Sequence, residues 1–263
     1  MSQEYLADPV LLEQHQGLAR ITLNRPAKYN ALSEEVLDSL QHILDKLAQD
    51  PSLQCVIIQA EGKAFCAGHD LKQMRSQPEH DYYRDLFSRC SRVMQAVLAL
   101  PVPVIARVQG LATAAGCQLV ATCDMAVATE STRFAVSGIN VGLFCSTPAV
   151  ALSRCVPPKA AMEMLMTGEF ISAQRAQKLG LINYAVAEDQ LDQTVQKLAD
   201  SIMAKSPVAV RAGKAMFYRQ RSLAIEQAYD YAGQVMADNM MSNDACEGID
   251  AFIEKRAPEW SGS

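Results

Sequence analysis

The sequence predicts an α/β fold whose C-terminal part is mostly helical. Short apolar strands alternate with amphipathic helices in the first half of the chain, and from Pro157 onward amphipathic segments follow one another with little strand signal. Alternation of strands and helices implies right-handed crossovers and a mainly parallel sheet. We therefore expect an α/β core over residues 1–200 and a C-terminal helical subdomain over residues 201–263, the latter available for oligomerisation.

The strand and helix predictions in the first half depend on local apolar patterns. Residues 19–24 and 55–59 alternate apolar and polar side chains, and residues 102–108 form a β-branched run, so each segment predicts a strand. Ser33 can cap a helix between the first two strands, because four leucines recur at helical spacing after it: Leu37, Leu40, Leu44 and Leu47. A second helix is expected over residues 82–100, and a short third helix after Gly110.

The second half predicts helices over residues 159–166, 172–179, 190–205 and 207–220, and a long helical stretch to residue 256. Ser172 is a suitable N-cap, and Gly180 fits the end of the same helix.

Composition excludes several classes of function. A net charge of −5 argues against a nucleic-acid surface, and no apolar run approaches the length of a membrane-spanning helix. The eight cysteines form no C-x-x-C pair and the four histidines lie far apart, so no metal site is predicted. The first seventeen residues carry acids and no basic targeting pattern, which leads us to expect a cytoplasmic protein.

Three stretches carry the chemical signal, and each also has a plainer structural interpretation. Residues 24–32 (NRPAKYNAL) form a polar turn before the Ser33 helix. In residues 62–71 (GKAFCAGHDL), Gly68 permits a close backbone approach, and Asp70 is more typical of a helix cap than of a catalytic acid. In residues 108–119 (VQGLATAAGCQL), small residues stand where a helix is expected to begin, and the first amides of a helix have no partner within it. Small residues at the start of a helix also allow tight packing, which is the plainer interpretation.

Together these stretches resemble the crotonase (enoyl-CoA hydratase/isomerase) superfamily, over residues 21–256. The resemblance implies a crotonase-like (ClpP/crotonase) β-β-α spiral core and an acyl-CoA thioester as substrate. It also implies an oxyanion hole made by the backbone N–H groups of His69 and Ala115. Two such donors are worth roughly 3–4 kcal/mol each toward a developing oxyanion.

The resemblance implies coenzyme A contacts as well, with coenzyme A as part of the substrate and no prosthetic cofactor. The second stretch would supply these contacts through Ala64, Ala67, His69, Asp70 and Leu71, and Lys28 is a candidate for phosphate contact. Near the C-terminus, residues 251–256 (AFIEKR) are similar to a family ending in which Phe252 and Lys255 reach coenzyme A on an adjacent subunit. A packing aromatic beside a solvated lysine is the alternative. The family assembles as trimers that pair into hexamers, so we expect a homo-oligomer, a trimer or a dimer of trimers, with no nucleic acid or membrane as partner.

The sequence departs from the family at both catalytic glutamates. Gln118 and Gly138 occupy their positions, and neither can exchange a proton at neutral pH. A positioned general acid or base typically contributes roughly 10²- to 10⁴-fold to a rate. Asp124, Glu130 and Cys145 are possible substitutes, but a structural acid, a solvated turn and a buried thiol are the plainer interpretations. Residues 140–148 (NVGLFCSTP) are similar to the enoyl-CoA hydratase domain-containing protein 3 subgroup.

Three functions remain open at the level of sequence. The first is an enoyl-CoA hydratase or isomerase whose base is not located. The second is decarboxylation of a malonyl-type thioester, which generates an enolate without a base and needs only the oxyanion hole. The third is a non-catalytic acyl-CoA-binding protein that kept the fold and lost the carboxylates.

Overall fold

The structure, a computed structural model, describes residues 8–263, and within that range the chain forms nine strands and eleven α-helices. The first seven residues, part of the N-terminal stretch without a targeting pattern, lie outside the described residues. The strands are β1 (Val10–His15), β2 (Leu18–Leu23), β3 (Cys55–Ala60), β4 (Val104–Val108), β5 (Leu111–Thr113), β6 (Met125–Thr129), β7 (Arg133–Ala135), β8 (Ile171–Ser172) and β9 (Tyr184–Val186).

The strands form two sheets. The main sheet has the order β1-β2-β3-β4-β6-β9; β1 and β2 are antiparallel and the remaining pairs are parallel. The second sheet has the order β5-β7-β8, with β5 and β7 parallel. The predicted mainly parallel α/β arrangement is confirmed.

The helices account for most of the remaining chain. They are α1 (Glu34–Ala48), α2 (Leu71–Ser76), α3 (His80–Ala99), α4 (Ala115–Thr122), α5 (Ser146–Cys155), α6 (Pro158–Thr167), α7 (Ala173–Leu179), α8 (Leu191–Met203), α9 (Pro207–Gln220), α10 (Ile225–Met240) and α11 (Asn243–Glu254). The long helical stretch predicted up to residue 256 is two helices, because Ser242 breaks it and caps α11 by accepting from the Ala245 amide at 3.1 Å. No helix among residues 8–263 is both long enough and apolar enough to cross a membrane.

The predicted caps agree with the structure at two helices. The Ser33 side chain accepts from the Val36 amide at the start of α1, and Ser172 accepts from the Arg175 amide at the start of α7. Gly180 ends α7 in a left-handed conformation, the usual role of glycine at that position.

The core lies between the main sheet and helices α1 and α3 on one face, with α8 on the other. Leu37, Leu40, Leu44 and Leu47 of α1 are all buried, as their spacing predicts. On the opposite face, Leu191 and Val195 of α8 pack with Ile57 and Ile105 of the sheet. Residue 200 therefore lies inside a helix that covers the sheet, and the division of the chain at residue 200 stays a prediction.

Candidate active site

The second and third signature stretches pair with each other backbone to backbone. The Cys66 amide donates to the Leu111 carbonyl at 3.0 Å, and the Thr113 amide donates to the Cys66 carbonyl at 3.0 Å. This pairing is that of a short parallel bridge between Cys66 and Ala112, so it places the ends of both stretches at one location.

Two glycines make this close approach possible. A Cβ atom on Gly116 would lie 2.2 Å from the Cys66 carbonyl oxygen, which no side chain could tolerate. Gly68 has φ +90°, and a Cβ there would lie 2.9 Å from the Cβ of Ala114 and 3.4 Å from the Ala115 amide nitrogen. The start of α4 therefore lies against the loop that carries His69.

Asn30 connects the first stretch to the second, which the sequence analysis did not foresee. Its buried side chain accepts from the Arg25 amide at 2.8 Å and donates to the carbonyls of Glu61 and Ala64, at 2.9 and 2.7 Å. The second asparagine of the NRPAKYNAL turn is therefore the clamp that holds the two loops together. Its place in a motif was the only signal that could have identified it, because its partners are 31 and 34 residues away.

The two amides predicted to form the oxyanion hole are free. Leu32 bonds to the Gly68 carbonyl and the Asp70 amide, at 2.8 and 3.3 Å, so the N–H of the intervening His69 points away from Leu32. Ala115 is the first residue of α4, where an amide has no partner within the helix. Neither amide donates a hydrogen bond to any group in residues 8–263.

Both residues border one cavity of about 250 Å³. Its wall is mostly apolar, and within the described chain no charged side chain belongs to it. The lining residues are Ala67, His69, Leu71, Met74, Phe87, Ala114, Ala115, Ser137, Gly138, Val141, Leu143, Phe144, Cys145, Ser146, Thr147 and Pro148. An apolar cavity beside two unpaired amides suits the acyl part of a thioester.

The predicted coenzyme A contacts in the second stretch divide into two groups. Ala67 and Leu71 border the cavity, whereas Ala64 is buried and its carbonyl accepts from Asn30. Asp70 caps α2 by accepting from the Lys72 and Gln73 amides, at 3.2 and 3.3 Å. Its other oxygen lies 3.6 Å from the Arg25 guanidinium, so the cap interpretation of Asp70 is the one the contacts favour.

The remaining predicted contacts lie outside the cavity wall. Lys28 is exposed, at the end of a 3-10 turn (Pro26–Lys28) that precedes Tyr29. Phe252 is 84% exposed near the end of α11, and Lys255 follows in a left-handed conformation that closes the helix. Neither C-terminal residue lines the cavity of its own chain.

Gln118 lies on α4, one turn after Ala115. Its side chain is buried, it is not part of the cavity wall, and its Oε1 atom has no hydrogen-bond partner in residues 8–263. The position of the first missing glutamate is therefore close to the candidate hole along the helix, but its buried side chain does not line the cavity.

Gly138 lies in the cavity wall and has no room for a side chain. A Cβ there would lie 2.5 Å from the Leu143 carbonyl oxygen and 2.7 Å from the Cys145 sulfur. The Gly138 amide donates to that sulfur at 3.3 Å, and its carbonyl accepts from the Leu143 amide at 3.0 Å. Residues 143–145 thus occupy the space that the side chain of the second family glutamate would need. A glutamate cannot be introduced at position 138 unless this segment moves.

Cys145 is a buried thiol, as the plainer interpretation predicts. It borders the cavity, and burial raises the pKa of its thiol, so it is protonated at neutral pH. It is also the residue before α5, which begins at Ser146.

His69 is the one histidine among the described residues that line the cavity, and its ring nitrogens are buried away from the cavity. Its ring packs against Phe87 in a T-shaped arrangement, with 5.5 Å between the ring centroids. Both ring nitrogens are buried and have no hydrogen-bond partner in the described chain. Burial lowers the pKa of this imidazole below its ordinary value and outweighs the Leu32 backbone group, which raises it, so the ring is neutral at pH 7.

Asp124 has the structural role that was expected of it. It accepts from the Val104 amide at 2.7 Å, the Lys214 ammonium at 2.8 Å and the Tyr218 hydroxyl at 2.8 Å. Through these contacts Asp124 joins α9 to the main sheet. Its partners on α9, Lys214 and Tyr218, lie 90 and 94 residues further along the chain.

The chain is similar to known proteins over nearly its whole length. The model for the family described as enoyl-CoA hydratase/isomerase matches residues 13–263. Enoyl-CoA hydratase domain-containing protein 3, mitochondrial, from Xenopus laevis is 47% identical over 96% of this chain and 86% of its own length.

Two solved structures have the same fold. An enoyl-CoA hydratase from Mycobacterium smegmatis is 57% identical, with a TM-score of 0.95 over 96% of this chain and 98% of its own. Human enoyl-CoA hydratase domain-containing protein 3 is 48% identical, with a TM-score of 0.93 over 96% of this chain and 100% of its own. The similarity to the subgroup noted at residues 140–148 is confirmed.

The expectation of a cytoplasmic location is wrong. The Xenopus protein and four further vertebrate relatives of the same name are named mitochondrial proteins, which contradicts that expectation. The expectation depended on the lack of a recognisable targeting pattern in the first seventeen residues, and such a lack does not establish where a protein is located.

Proposed function

The chain belongs to the enoyl-CoA hydratase/isomerase family, the crotonase superfamily, and from this premise we propose that it is an enzyme that binds acyl-CoA thioesters and stabilises the oxyanion formed at their carbonyl. The observation that supports this most is the pair of free amides, at His69 and Ala115, that border one apolar cavity. Two amides without a protein partner at one cavity can both donate to a ligand, so their convergence favours a ligand oxygen at that point.

The proposed chemistry starts from an enolate. When a base removes a proton from carbon 2 of a thioester, or when a carboxylate leaves that carbon as CO₂, negative charge accumulates on the carbonyl oxygen. Two amides in a water-poor site stabilise that charge more than they stabilise the neutral carbonyl. The same site therefore serves hydratase- or isomerase-type reactions and a decarboxylase.

The replaced glutamates favour reactions that need little acid–base help. Gln118 has an amide, and Gly138 has no space for a carboxylate. Decarboxylation of a malonyl-type thioester stays the second candidate, because the wall of the cavity within the described chain contains no carboxylate. A non-catalytic acyl-CoA-binding protein is the third, and the kinetic test below separates it from both.

Coenzyme A would extend from the cavity along the second signature stretch. We place its pantetheine beside Ala64, Ala67 and Leu71, with Lys28 available to a phosphate. Phe252 and Lys255 would contact coenzyme A of a neighbouring subunit, in a trimer or a dimer of trimers. The exposed apolar side chains of α10 and α11 support such an assembly, because the surface helices of a monomer rarely expose so many: Ile225, Tyr229, Met236, Met240, Phe252 and Ile253. Multi-angle light scattering would measure a trimer or hexamer, and a monomer at micromolar concentration would contradict this part.

The first test compares substrates on the purified protein. Crotonyl-CoA, a 3-enoyl-CoA, methylmalonyl-CoA and free coenzyme A are supplied separately, and loss or gain of the conjugated enoyl absorbance, CO₂ release and binding heat are measured. Turnover of an enoyl thioester supports the hydratase/isomerase assignment, and CO₂ release supports the decarboxylase. Binding without any reaction would leave only the non-catalytic alternative.

The second test removes one oxyanion donor. Ala115→Pro replaces the amide hydrogen by the proline Cδ at the first position of α4, where proline is compatible with a helix, so it removes the donor and also crowds the place of the ligand oxygen. Ala114 precedes it with φ +49°, so Ala114→Gly is introduced in both the test and the control protein to relieve strain. Relative to Ala114→Gly alone, the double variant should lose roughly 10²- to 10³-fold in rate. An unchanged rate in a folded double variant would refute the role of Ala115.

A further inference from the structure

Three hydroxyl groups belong to the mostly apolar wall of the cavity, on Ser137, Ser146 and Thr147. The Ser146 hydroxyl donates to the Phe144 carbonyl at 3.4 Å. Ser137 differs because a second hydroxyl lies behind it: the Thr113 Oγ1 atom is 2.8 Å from the Ser137 Oγ atom, and Thr113 is only 7% exposed. Ser137 is therefore the wall hydroxyl that a buried partner can orient.

Burial sets the direction of the hydrogen bond between Ser137 and Thr113. Each hydroxyl carries one hydrogen, and the bond between them uses only one of the two. If Ser137 donated, the hydrogen of the buried Thr113 hydroxyl would have no acceptor in residues 8–263, which is unfavourable for a buried donor. Thr113 therefore donates and Ser137 accepts, so the Ser137 hydrogen stays available to a group in the cavity. A hydroxyl that already accepts a hydrogen bond is also a stronger donor.

The Ser137 hydroxyl lies beside the candidate oxyanion hole. Strands β5 and β7 are parallel with Thr113 opposite Ala135, and the Ala114 amide donates to the Ala135 carbonyl at 3.0 Å. Two residues further along each chain come Ala115 and Ser137, and both border the cavity. A thioester whose carbonyl oxygen accepts from the Ala115 amide would therefore bring the next carbons of its acyl group toward the Ser137 hydroxyl.

We propose that the Ser137 hydroxyl, oriented by Thr113, donates a hydrogen bond to a carbonyl oxygen on carbon 3 of the acyl group, so that the site prefers 3-oxoacyl-CoA thioesters. This inference rests on the proposed function, since it requires the thioester carbonyl at the two amides. It names the substrate class more narrowly. Ser137 is then a specificity-determining residue, and Thr113 is a positioning residue that acts through it.

The surroundings of Ser137 favour a carbonyl over other groups on carbon 3. A carbonyl oxygen carries no hydrogen of its own, so a single donor suits it. A hydroxyl on carbon 3 could also accept from Ser137, but its own hydrogen would need an acceptor in a mostly apolar wall. A carboxylate would need a cation, and within the described chain no charged side chain belongs to the wall. A saturated or enoyl group accepts no hydrogen bond at carbon 3 and leaves the Ser137 donor unpaired.

The test compares thioesters that differ only at carbon 3. Dissociation constants of acetoacetyl-CoA, 3-hydroxybutyryl-CoA and butyryl-CoA are measured by isothermal titration calorimetry. The wild type should bind acetoacetyl-CoA roughly 3- to 10-fold more tightly than butyryl-CoA, which is the effect of one neutral hydrogen bond, and 3-hydroxybutyryl-CoA should lie between them. Ser137→Ala should abolish this preference and leave the affinity for butyryl-CoA unchanged. Thr113→Val should reduce the preference roughly 2- to 3-fold, because the Ser137 hydroxyl loses the donor that orients it.

A spectroscopic readout separates the positioning role of Thr113 from a purely structural one. Acetoacetyl-CoA labelled with carbon-13 at carbon 3 is bound to each protein, and the infrared stretch of the labelled carbonyl is recorded. Loss of a hydrogen bond raises this frequency, so the frequency should be higher in Ser137→Ala and in Thr113→Val than in the wild type.

Thr132→Val is the matched control. The Thr132 hydroxyl is 2.8 Å from the Thr129 hydroxyl, and both residues are buried, but neither borders the cavity. This variant breaks a comparable hydroxyl pair and should keep both the preference and the carbonyl frequency, while thermal unfolding shows that each variant is folded.

Several results would overturn the inference: no preference in the wild type, a preference that persists in Ser137→Ala, or a preference that is lost in Thr147→Val instead. A wild type that binds the three thioesters with equal affinity would leave the proposed function intact. A wild type that binds none of them would contradict the proposed function itself.

Discussion

Gly116→Ala tests most sharply how the two signature loops make the site. The added Cβ would lie 2.2 Å from the Cys66 carbonyl oxygen, and a normal carbon–oxygen contact needs about 3.3 Å. The carbonyl cannot rotate away, because it is part of the backbone and accepts from the Thr113 amide at 3.0 Å. The loop that carries His69 must therefore separate from α4 by about 1 Å.

The magnitudes follow from that separation. Overpacking costs roughly 1–3 kcal/mol, and loss of the Thr113 bond adds about 1 kcal/mol. The helix preference of alanine over glycine offsets about 1 kcal/mol, so a net loss of roughly 1–3 kcal/mol is expected. A displacement of about 1 Å between the two oxyanion donors should also lower the turnover of the thioester substrate roughly 10²-fold.

Gly213→Ala is the matched control, because Gly213 is within α9 and a Cβ there has no heavy atom within 4 Å. This variant should gain about 1 kcal/mol from helix preference and keep the wild-type rate. Thermal and urea unfolding measure the stabilities, and the enoyl absorbance or CO₂ release of the substrate comparison measures the rate. A Gly116→Ala protein as stable and as active as the wild type would show that the loops are not docked as described.

Three other changes have expected outcomes. Ala114→Gly should raise the free energy of unfolding by roughly 1 kcal/mol, because Ala114 has φ +49° and ψ −120°; a urea titration with a lower midpoint than the wild type would contradict this. Lys214→Met should lower it by about 3–5 kcal/mol, since Asp124 would stay buried without its cation; a loss below about 1 kcal/mol in urea would argue against the ion pair. Burial lowers the pKa of His69 in the folded protein from its ordinary value of 6.5. Below pH 6.5 the unfolded chain therefore binds a proton that the folded chain does not, and the free energy of unfolding decreases as the pH is lowered. His69→Gln should flatten that dependence, as measured by unfolding midpoints between pH 5 and 8.

The sequence predicts the long, strongly patterned elements and little of the short ones. The leucine face of α1 and the Ser33 cap are visible locally, because helical spacing and capping depend on neighbours within a few residues. Strands β7, β8 and β9 have two or three residues each, too few for a period to appear.

The candidate site divides in the same way. The candidate roles of the His69 and Ala115 amides were predictable from the two motifs that resemble the family. Local spacing of apolar and polar residues would not have predicted them. The clamp of Asn30 on Ala64 and the pair of Asp124 with Lys214 join residues 34 and 90 positions apart, and nothing local predicts them. The packing of Leu143 and Cys145 against Gly138 is likewise not predictable from the sequence, because it depends on where the Leu143 carbonyl and the Cys145 sulfur lie in the folded chain.

A crystal structure of the protein with bound butyryl-CoA tests the central claim most directly. The thioester oxygen should lie about 2.7–3.1 Å from both the His69 and the Ala115 nitrogen, with the acyl chain in the cavity beside Leu143 and Phe144. A thioester oxygen bonded to water or to a side chain, with either nitrogen more than about 3.5 Å away, would contradict it.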